Sequence, residues 1–405
     1  MNKYLKNNIS LILKIFLYLQ PVIDLITGIM IHYLNINITI GMIIRFIFLL
    51  FIIYFYLFVK KNNSKYKTIY LLSVLVFMII STVLVIINKD IHVLYFELSN
   101  VLKVFYFPLL ISIVDKEDIK ITINDIIYVG IIYLSLISIA NIFNLSYNSY
   151  TQGKIGSVGL FNSGNEISAI LSIITPFIIY YIFNKNNNYI KVLLIILIVY
   201  NYFTIGSKII IISLILSIIF NLFLFLKNNK VNNKKIIISI IGILLLIILG
   251  IYILPKTNFY YNIKLHLNFL GINNIKDLFT YNFINRFIFS DRLTFLLDIN
   301  NIYFNSSILS KLFGIGFITN YATDLVSIKL IEMDLFDIFY RVGLIGFITF
   351  MIPIIKEIKV LFKDKYSIVI FSVILALFIA ILVGHTLTAP SVSILLLFVL
   401  KCNKR

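Results

Sequence analysis

Charge is what this chain has least of. Of its 405 residues 13% are charged and 60% hydrophobic, and mean hydropathy is +1.02. A soluble domain carries about 25% charged residues, so this chain has too little polar surface to face water all round. A bilayer removes that difficulty, because lipid is as apolar as the side chains it touches. Cysteine is nearly absent as well: the lone Cys402 builds neither a disulfide framework nor a Cys-based metal site. No small-residue cleavage site follows Lys3, Lys6 and the first apolar run, which reads as an uncleaved helix that anchors the chain. The scarcity of acids leaves a net charge of +18, but this does not point to nucleic acid. The lysines and arginines stand in short clusters between apolar runs, and no basic stretch interleaves with a soluble fold that could hold a duplex or single strand. There is no internal repeat of the kind that marks duplicated transporters, no nucleotide-binding motif, and no set of residues at metal-ligand spacing; no cofactor or metal is called for.

What the chain has is apolar runs near the bilayer-spanning length of about twenty residues. Six cover Ser10–Met30, Ile38–Val59, Thr68–Ile87, Val93–Val114, Asp125–Phe143 and Glu166–Phe183; three more cover Tyr189–Phe203, Lys208–Leu226 and Ile236–Leu254. The last three are Phe336–Ile354, Ile368–Val383 and Leu387–Leu400. The fold predicted is an all-α polytopic integral membrane protein of about twelve transmembrane helices. Helices one to nine fall in 1–254, a large external loop in 255–335, and helices ten to twelve in 336–405. Alternate loops carry the lysines, among them Lys60, Lys65, Lys116, Lys185, Lys234 and Lys356, which assigns both termini to the cytoplasm of a multi-pass protein of the cell membrane. Within the large loop, Arg292–Phe304 and Ser307–Phe313 have the mixed spacing of short amphipathic helices lying on the membrane.

Four segments could carry chemistry. In Glu332-Met333-Asp334…Asp337…Arg341-Val342-Gly343…Gly346, a helix brings Asp334, Asp337 and Arg341 to one face. The three acids could deprotonate a hydroxyl or hold a cation, and the two glycines admit a neighbouring helix. Interfacial salt bridging accounts for the same pattern equally well. Arg286 and Arg292, flanking Asp291, suit bidentate binding of phosphate; pairing with headgroups or with Asp291 is the competing account. Thr204–Lys208 and Gly156–Glu166 are Gly-rich entries to helices that could hold an anion, or simple turn punctuation. Asp24, Arg45 and Glu97 lie inside spans, where an isolated charge costs about 2.5–3.5 kcal/mol, and are expected to pair within the bundle. His385 is read as a structural residue of an outer turn.

In this order the segments resemble the O-antigen ligase and polymerase superfamily of bacterial surface-glycan assembly. Leu312-Phe313-Gly314-Ile315-Gly316 looks like that family's G-x-G turn late in the large loop, Arg292 and Leu296 fit its R-x-x-x-L pattern, and Lys208 stands where an arginine often follows serine. One departure matters: counting back from Gly343 and Gly346 puts Glu332 and Met333 where the ligases carry a His-Asn-type pair. The resemblance implies a membrane glycosyltransferase of the polymerase or ligase type, acting at the outer membrane face for capsule, O-antigen or exopolysaccharide. Its partners would be a polyprenyl-pyrophosphate-linked glycan donor, a glycan or lipid acceptor, membrane lipids and other polysaccharide-assembly proteins. The roles implied are Glu332 as general base, Asp334 or Asp337 orienting it, and Arg286, Arg292, Lys208 and Arg341 binding pyrophosphate. A flippase for lipid-linked oligosaccharide, or another polytopic transporter, is the alternative; it would be expected to line a path open from both sides.

Overall fold

The computed structural model describes residues 2–35, 39–60, 64–88, 91–150, 155–184, 188–228, 280–321, 324–327, 330–364 and 366–403. The predicted ninth run, Ile236–Leu254, and the first part of the large loop lie outside the described residues.

Helices dominate. They are α1 (Asn2–His32), α2 (Ile40–Tyr54, continued by a π-helical turn Phe55–Val59), α3 (Lys65–Asn88), α4 (Leu94–Ile113) and α5 (Ile123–Ile142). After them come α6 (Gly164–Asn184), α7 (Asn188–Ile205) and α8 (Lys208–Asn228). Within the predicted large loop lie α9 (Arg292–Phe304) and α10 (Ile308–Phe313), and after them come α11 (Asp334–Asp364), α12 (Ser367–Leu382) and α13 (Pro390–Lys401). Among the described residues nine helices are long and apolar enough to cross a membrane, with α12 and α13 shorter apolar helices beside them. The protein is an all-α polytopic membrane protein. Two antiparallel hairpins interrupt the pattern, β1 (Asn148–Tyr150) with β2 (Ile155–Ser157) and β3 (Ile318–Tyr321) with β4 (Asp324–Ser327).

The packing has the order of a membrane protein, with the periphery as apolar as the core. Ile47, Ile69, Ile79, Ile219 and Phe223 are all about three-fifths exposed on outer faces, which only lipid tolerates over so wide an area. Inside, α6 packs against α8, α12 and α5, and a run of it from Ile167 to Ile179 is buried throughout. Local signals set the ends of several helices. Thr122 and Asp125 form a reciprocal capping box at α5, and Pro390 opens α13, where its missing N–H costs nothing.

Asp24, Arg45 and Glu97, the charges expected to find partners within the bundle, all do so, as the desolvation cost requires. Arg45 donates to the Asp24 carboxylate and, through Nε, to Gln20 at 2.9 Å, while the Tyr133 hydroxyl donates to Asp24 at 2.6 Å. Lys14 meets Asp125 at 2.7 Å. Glu97 takes a different partner: its two oxygens accept from the backbone N–H groups of Phe317 (2.8 Å) and Ile318 (3.0 Å). An acid of α4 thus tethers the large loop where it returns to the bundle.

Asn100 of α4, Asp334 of α11 and Pro390 of α13, near the start of each helix, line one cavity, and Ser112, Lys356 and Lys401, further along the same three helices, line another. The two cavities therefore lie at opposite ends of the bundle.

Candidate active site

A cavity of about 270 Å³ opens where α1, α2, α4, α6 and α11 meet the turn between α12 and α13. Its polar wall on the bundle side holds Asp24, Arg45, Lys103 and Glu166; its wall on the loop side holds Glu332, Asp334, Asp337 and His385. Phe161, Phe317 and Ile338 supply apolar lining.

Glu332 sits at the junction of loop and membrane helix. Its φ of +60° is a left-handed conformation rarely adopted by a non-glycine residue, and two devices enforce it. Asp337, one turn into α11, accepts from the backbone N–H groups of Ile331 (3.0 Å), Glu332 (2.8 Å) and Met333 (3.4 Å). Gly384 presses on the other side, where a Cβ would lie 2.9 Å from the Glu332 Cα. The side chain is left 42% exposed, and Arg292 Nη2 donates to its Oε2 at 2.9 Å.

Arg292 is delivered by its own strained turn. Ser290 (φ +53°) and Asp291 (φ +64°) precede it, and Asn285 clamps the start of α9. Asn285 Oδ1 accepts from the Leu293 N–H at 3.1 Å, and its Nδ2 donates to the Thr294 hydroxyl at 2.7 Å. The guanidinium ends up nearly buried, with Nε unpartnered among the described residues. Lys208, at the mouth of α8, stands close enough to feel the charge of Arg292.

The remaining predicted site residues divide differently from the expectation. Asp334 does not face Glu332 as an orienting group. Its Oδ1 accepts from the His385 N–H and the Thr388 hydroxyl at 2.9 Å each, and its Oδ2 from Thr386 N–H at 2.7 Å and Leu387 N–H at 2.6 Å. Four donors fill its acceptor sites, so Asp334 holds the α12–α13 turn. Arg341, expected at a pyrophosphate, is 2% exposed. It reaches Asp337 at 3.7 Å, the Gly316 carbonyl at 3.2 Å and the Phe317 ring, so it fastens the returning loop. Arg286 is outside the cavity and exposed, 3.8 Å from Asp291, the pairing weighed as its competing reading. Arg292 adjoins the cavity through Glu332 without lining it, and Lys208 is not among the lining residues.

Of the two glycines expected to admit a neighbouring helix, Gly346 does so, since a Cβ there would lie 2.8 Å from the Phe77 ring of α3, whereas Gly343 has other work. Gly343 (φ +69°) breaks α11 with a kink, which frees the carbonyls of Tyr340 and Arg341 to accept from Ile315 N–H and Gly316 N–H, each at 3.1 Å. A Cβ on Gly314 would overlap the Arg341 carbonyl, and one on Gly343 would overlap the Gly314 nitrogen. The G-x-G turn of the loop is thus seated in the kink of the helix.

Other lining residues were visible in the sequence without being assigned to the site: Lys103 as a charge inside a span, Glu166 in the Gly-rich segment and His385 in its turn. Lys103 lies in the middle of α4 beside Asn100, 3.5 Å away. Glu166 accepts from Ser391 at 2.5 Å, and His385 (φ +67°) lines the cavity as well as anchoring its turn through Asp334. The Gly156–Glu166 segment, a possible anion site by its glycines, supplies Phe161, Asn162, Ser163 and Glu166 to the wall. Among the described residues no three His, Cys, Asp or Glu side chains group as metal ligands.

An acid held in a fixed, strained pose beside a buried guanidinium, at one end of a membrane bundle, can take a proton from a hydroxyl while a neighbouring cation receives negative charge. Comparison with known proteins agrees with the order of motifs. Residues 6–278 and 274–402 match the family described as O-antigen ligase like membrane protein. No curated protein matches the chain. The match extends over nearly the whole sequence: the chain belongs to the O-antigen ligase-like family of membrane proteins.

Proposed function

We propose that the protein is a glycosyltransferase of surface-polysaccharide assembly that transfers a glycan from a polyprenyl-pyrophosphate donor to a sugar hydroxyl at the extracytoplasmic face. The observation that carries this reading is the Arg292–Glu332 pair at the cavity, 2.9 Å apart. In the resting protein Arg292 occupies one oxygen of the Glu332 carboxylate. A diphosphate is a stronger, bidentate partner for a guanidinium than a half-exposed carboxylate, so donor binding draws Arg292 away and leaves Glu332 free. The acceptor hydroxyl then loses its proton to Glu332 as its oxygen bonds the anomeric carbon. The bond from that carbon to the diphosphate breaks, and its electron pair leaves with polyprenyl pyrophosphate, whose charge Arg292 and Lys208 stabilise. Asp337 maintains the pose of Glu332, and Asp334 and Arg341 maintain the two backbone segments on either side of it.

Of the two family activities, polymerase is favoured by the glutamate at the position where the ligases carry histidine. The test is reconstitution in liposomes with polyprenyl-pyrophosphate-linked oligosaccharide, products being resolved on a gel. A ladder of lengthening glycan, abolished by Arg292→Ala, is the expected result. A single transfer to a separate lipid acceptor would make it a ligase. No consumption of the donor with any acceptor would sink the transferase reading and favour transport.

A further inference from the structure

At the end of the bundle remote from Glu332, a second cavity of about 240 Å³ lies between α3, α4, α11 and α13. Lys67, Lys116, Lys356 and Lys401 line it, against two carboxylates, Asp115 and Glu357. Both carboxylates have partners. Asp115 meets Lys60 at 2.9 Å and Lys67 at 2.6 Å, and Glu357 meets Lys401 at 3.2 Å. Lys401 is further held by the carbonyls of Ile111 and Val114. Lys356 has no carboxylate partner among the described residues; its ammonium rests over the Tyr66 ring, 3.4 Å from the centroid.

The Tyr66 hydroxyl carries the argument further. It is buried, lines this cavity and has no hydrogen-bond partner among the described residues. Buried hydroxyls are nearly always satisfied, so a donor without a partner beside an ammonium without a carboxylate, both among the described residues, suits an oxygen-rich anion. Lysines alone at this end would follow from topology; the orphaned hydroxyl and the cavity would not. The outer rim identifies the anion's carrier. Lys356 also borders a groove on the exposed face of α11, which Ile352, Ile355 and Val360 line together with Lys359 and Lys363. An apolar floor between cations fits an acyl chain beneath a phosphate, and basic pockets between membrane helices hold anionic headgroups.

We propose that this cavity binds the phosphate of an anionic phospholipid, with the Tyr66 hydroxyl and the Lys356 ammonium as its donors and the Ile352–Val360 face under its acyl chain. Because α4 and α11 line both cavities, the lipid would brace the two helices that carry Lys103 and Asp334.

Native mass spectrometry of the full chain in neutral detergent tests this, with phosphatidylglycerol, phosphatidylcholine or inorganic phosphate added. One phosphatidylglycerol per chain is expected to be retained about tenfold over phosphatidylcholine, whose choline cation offsets its phosphate and is repelled by the surrounding lysines. Lys356→Ala and the shape-preserving Tyr66→Phe are each expected to remove most of that preference. Equal retention of the two lipids overturns the proposal, as does a preference that survives Tyr66→Phe. Displacement of phosphatidylglycerol by millimolar inorganic phosphate would also overturn it, making the site one for a free anion.

Discussion

Glu332 and Asp334 are two residues apart and carry the same functional group, yet their surroundings give them different work. Glu332 has one partner and a side chain 42% exposed; Asp334 is 2% exposed and accepts four hydrogen bonds. Replacing Glu332 with Gln keeps the shape and removes the base. Turnover in the liposome assay should fall by roughly a hundred- to ten-thousand-fold, the range for general-base catalysis, while the protein stays folded with a midpoint lowered only by the loss of the Arg292 pair. Full turnover by the folded variant would remove Glu332 from the chemistry. Asp334→Asn should behave in the opposite manner. The amide must turn an N–H₂ toward donors, leaving at least one buried backbone N–H unpaired at a cost of about 1–3 kcal/mol. A clear drop in melting temperature is expected, and an unchanged one would mean that the α12–α13 turn does not depend on this carboxylate. The distinction could not be read from spacing, because the donors to Asp334 come from residues 385–388, far along the chain, whereas the i, i+4 approach of Asp337 and Arg341 is local and was legible.

Elements show the same division between local and distant causes. The helices α9 and α10 are where the sequence put them, and Ser307 caps α10 by accepting from Ser310 N–H at 3.2 Å. Those signals lie within a few residues of each other. The seating of Gly314 in the Gly343 kink joins two motifs that looked like independent punctuation, and only the close approach of two backbones explains both glycines. Gly314 has φ +95° and ψ 160°, a region open essentially to glycine alone, and a side chain there would strike the Arg341 backbone. Gly206 is the control. It also has positive φ, +67°, but a Cβ would meet nothing closer than the Phe203 carbonyl at 3.9 Å, so Gly206→Ala should cost only the left-handed strain, about 1–2 kcal/mol. Gly314→Ala should unseat the loop, shift Glu332 and abolish transfer as well as lowering the melting temperature. Retained transfer by Gly314→Ala would show that the docked turn is dispensable to the site.

For the whole molecule, the two ends of the bundle differ in chemistry, and this gives separate handles on stability and orientation. The lysine end is tied by Lys60, Lys67, Asp115 and Asp118. Burial works to raise the Asp115 carboxyl, but hydrogen bonds from Lys67 and Lys60 outweigh it and hold the group below its ordinary value. Burial likewise opposes the Lys60 charge, and Asp118 and Asp115 outweigh it to raise that group. A depressed acid adds stability that is present above its unfolded pKa, about 3.9, and a raised lysine adds stability present below its own, about 10.4. The cluster therefore stabilises across the range between those values. It weakens as pH falls through the lower folded value of Asp115 or rises through the higher folded value of Lys60. Asp115→Asn should flatten the acid limb of a melting-temperature profile; an unaltered limb would assign acid sensitivity elsewhere. Orientation is the remaining question at this scale, and the single cysteine makes it accessible. Cys402 is 4% exposed, and burial pushes its thiol up to about 12, so little reactive thiolate is present at neutral pH and the natural chain should be a quiet background. A new cysteine at exposed Ser290, next to Arg292, and another at exposed Lys359 report the two ends. If the lysine clusters face the cytoplasm, as their bias requires, Ser290→Cys reacts with a membrane-impermeant maleimide on intact cells and Lys359→Cys reacts only after permeabilisation. The reverse pattern would turn the Glu332 cavity toward the cytoplasm, where a transferase acting on exported lipid-linked glycan could not work. Labelling of both from outside would mean that the helices between them do not form a single crossing.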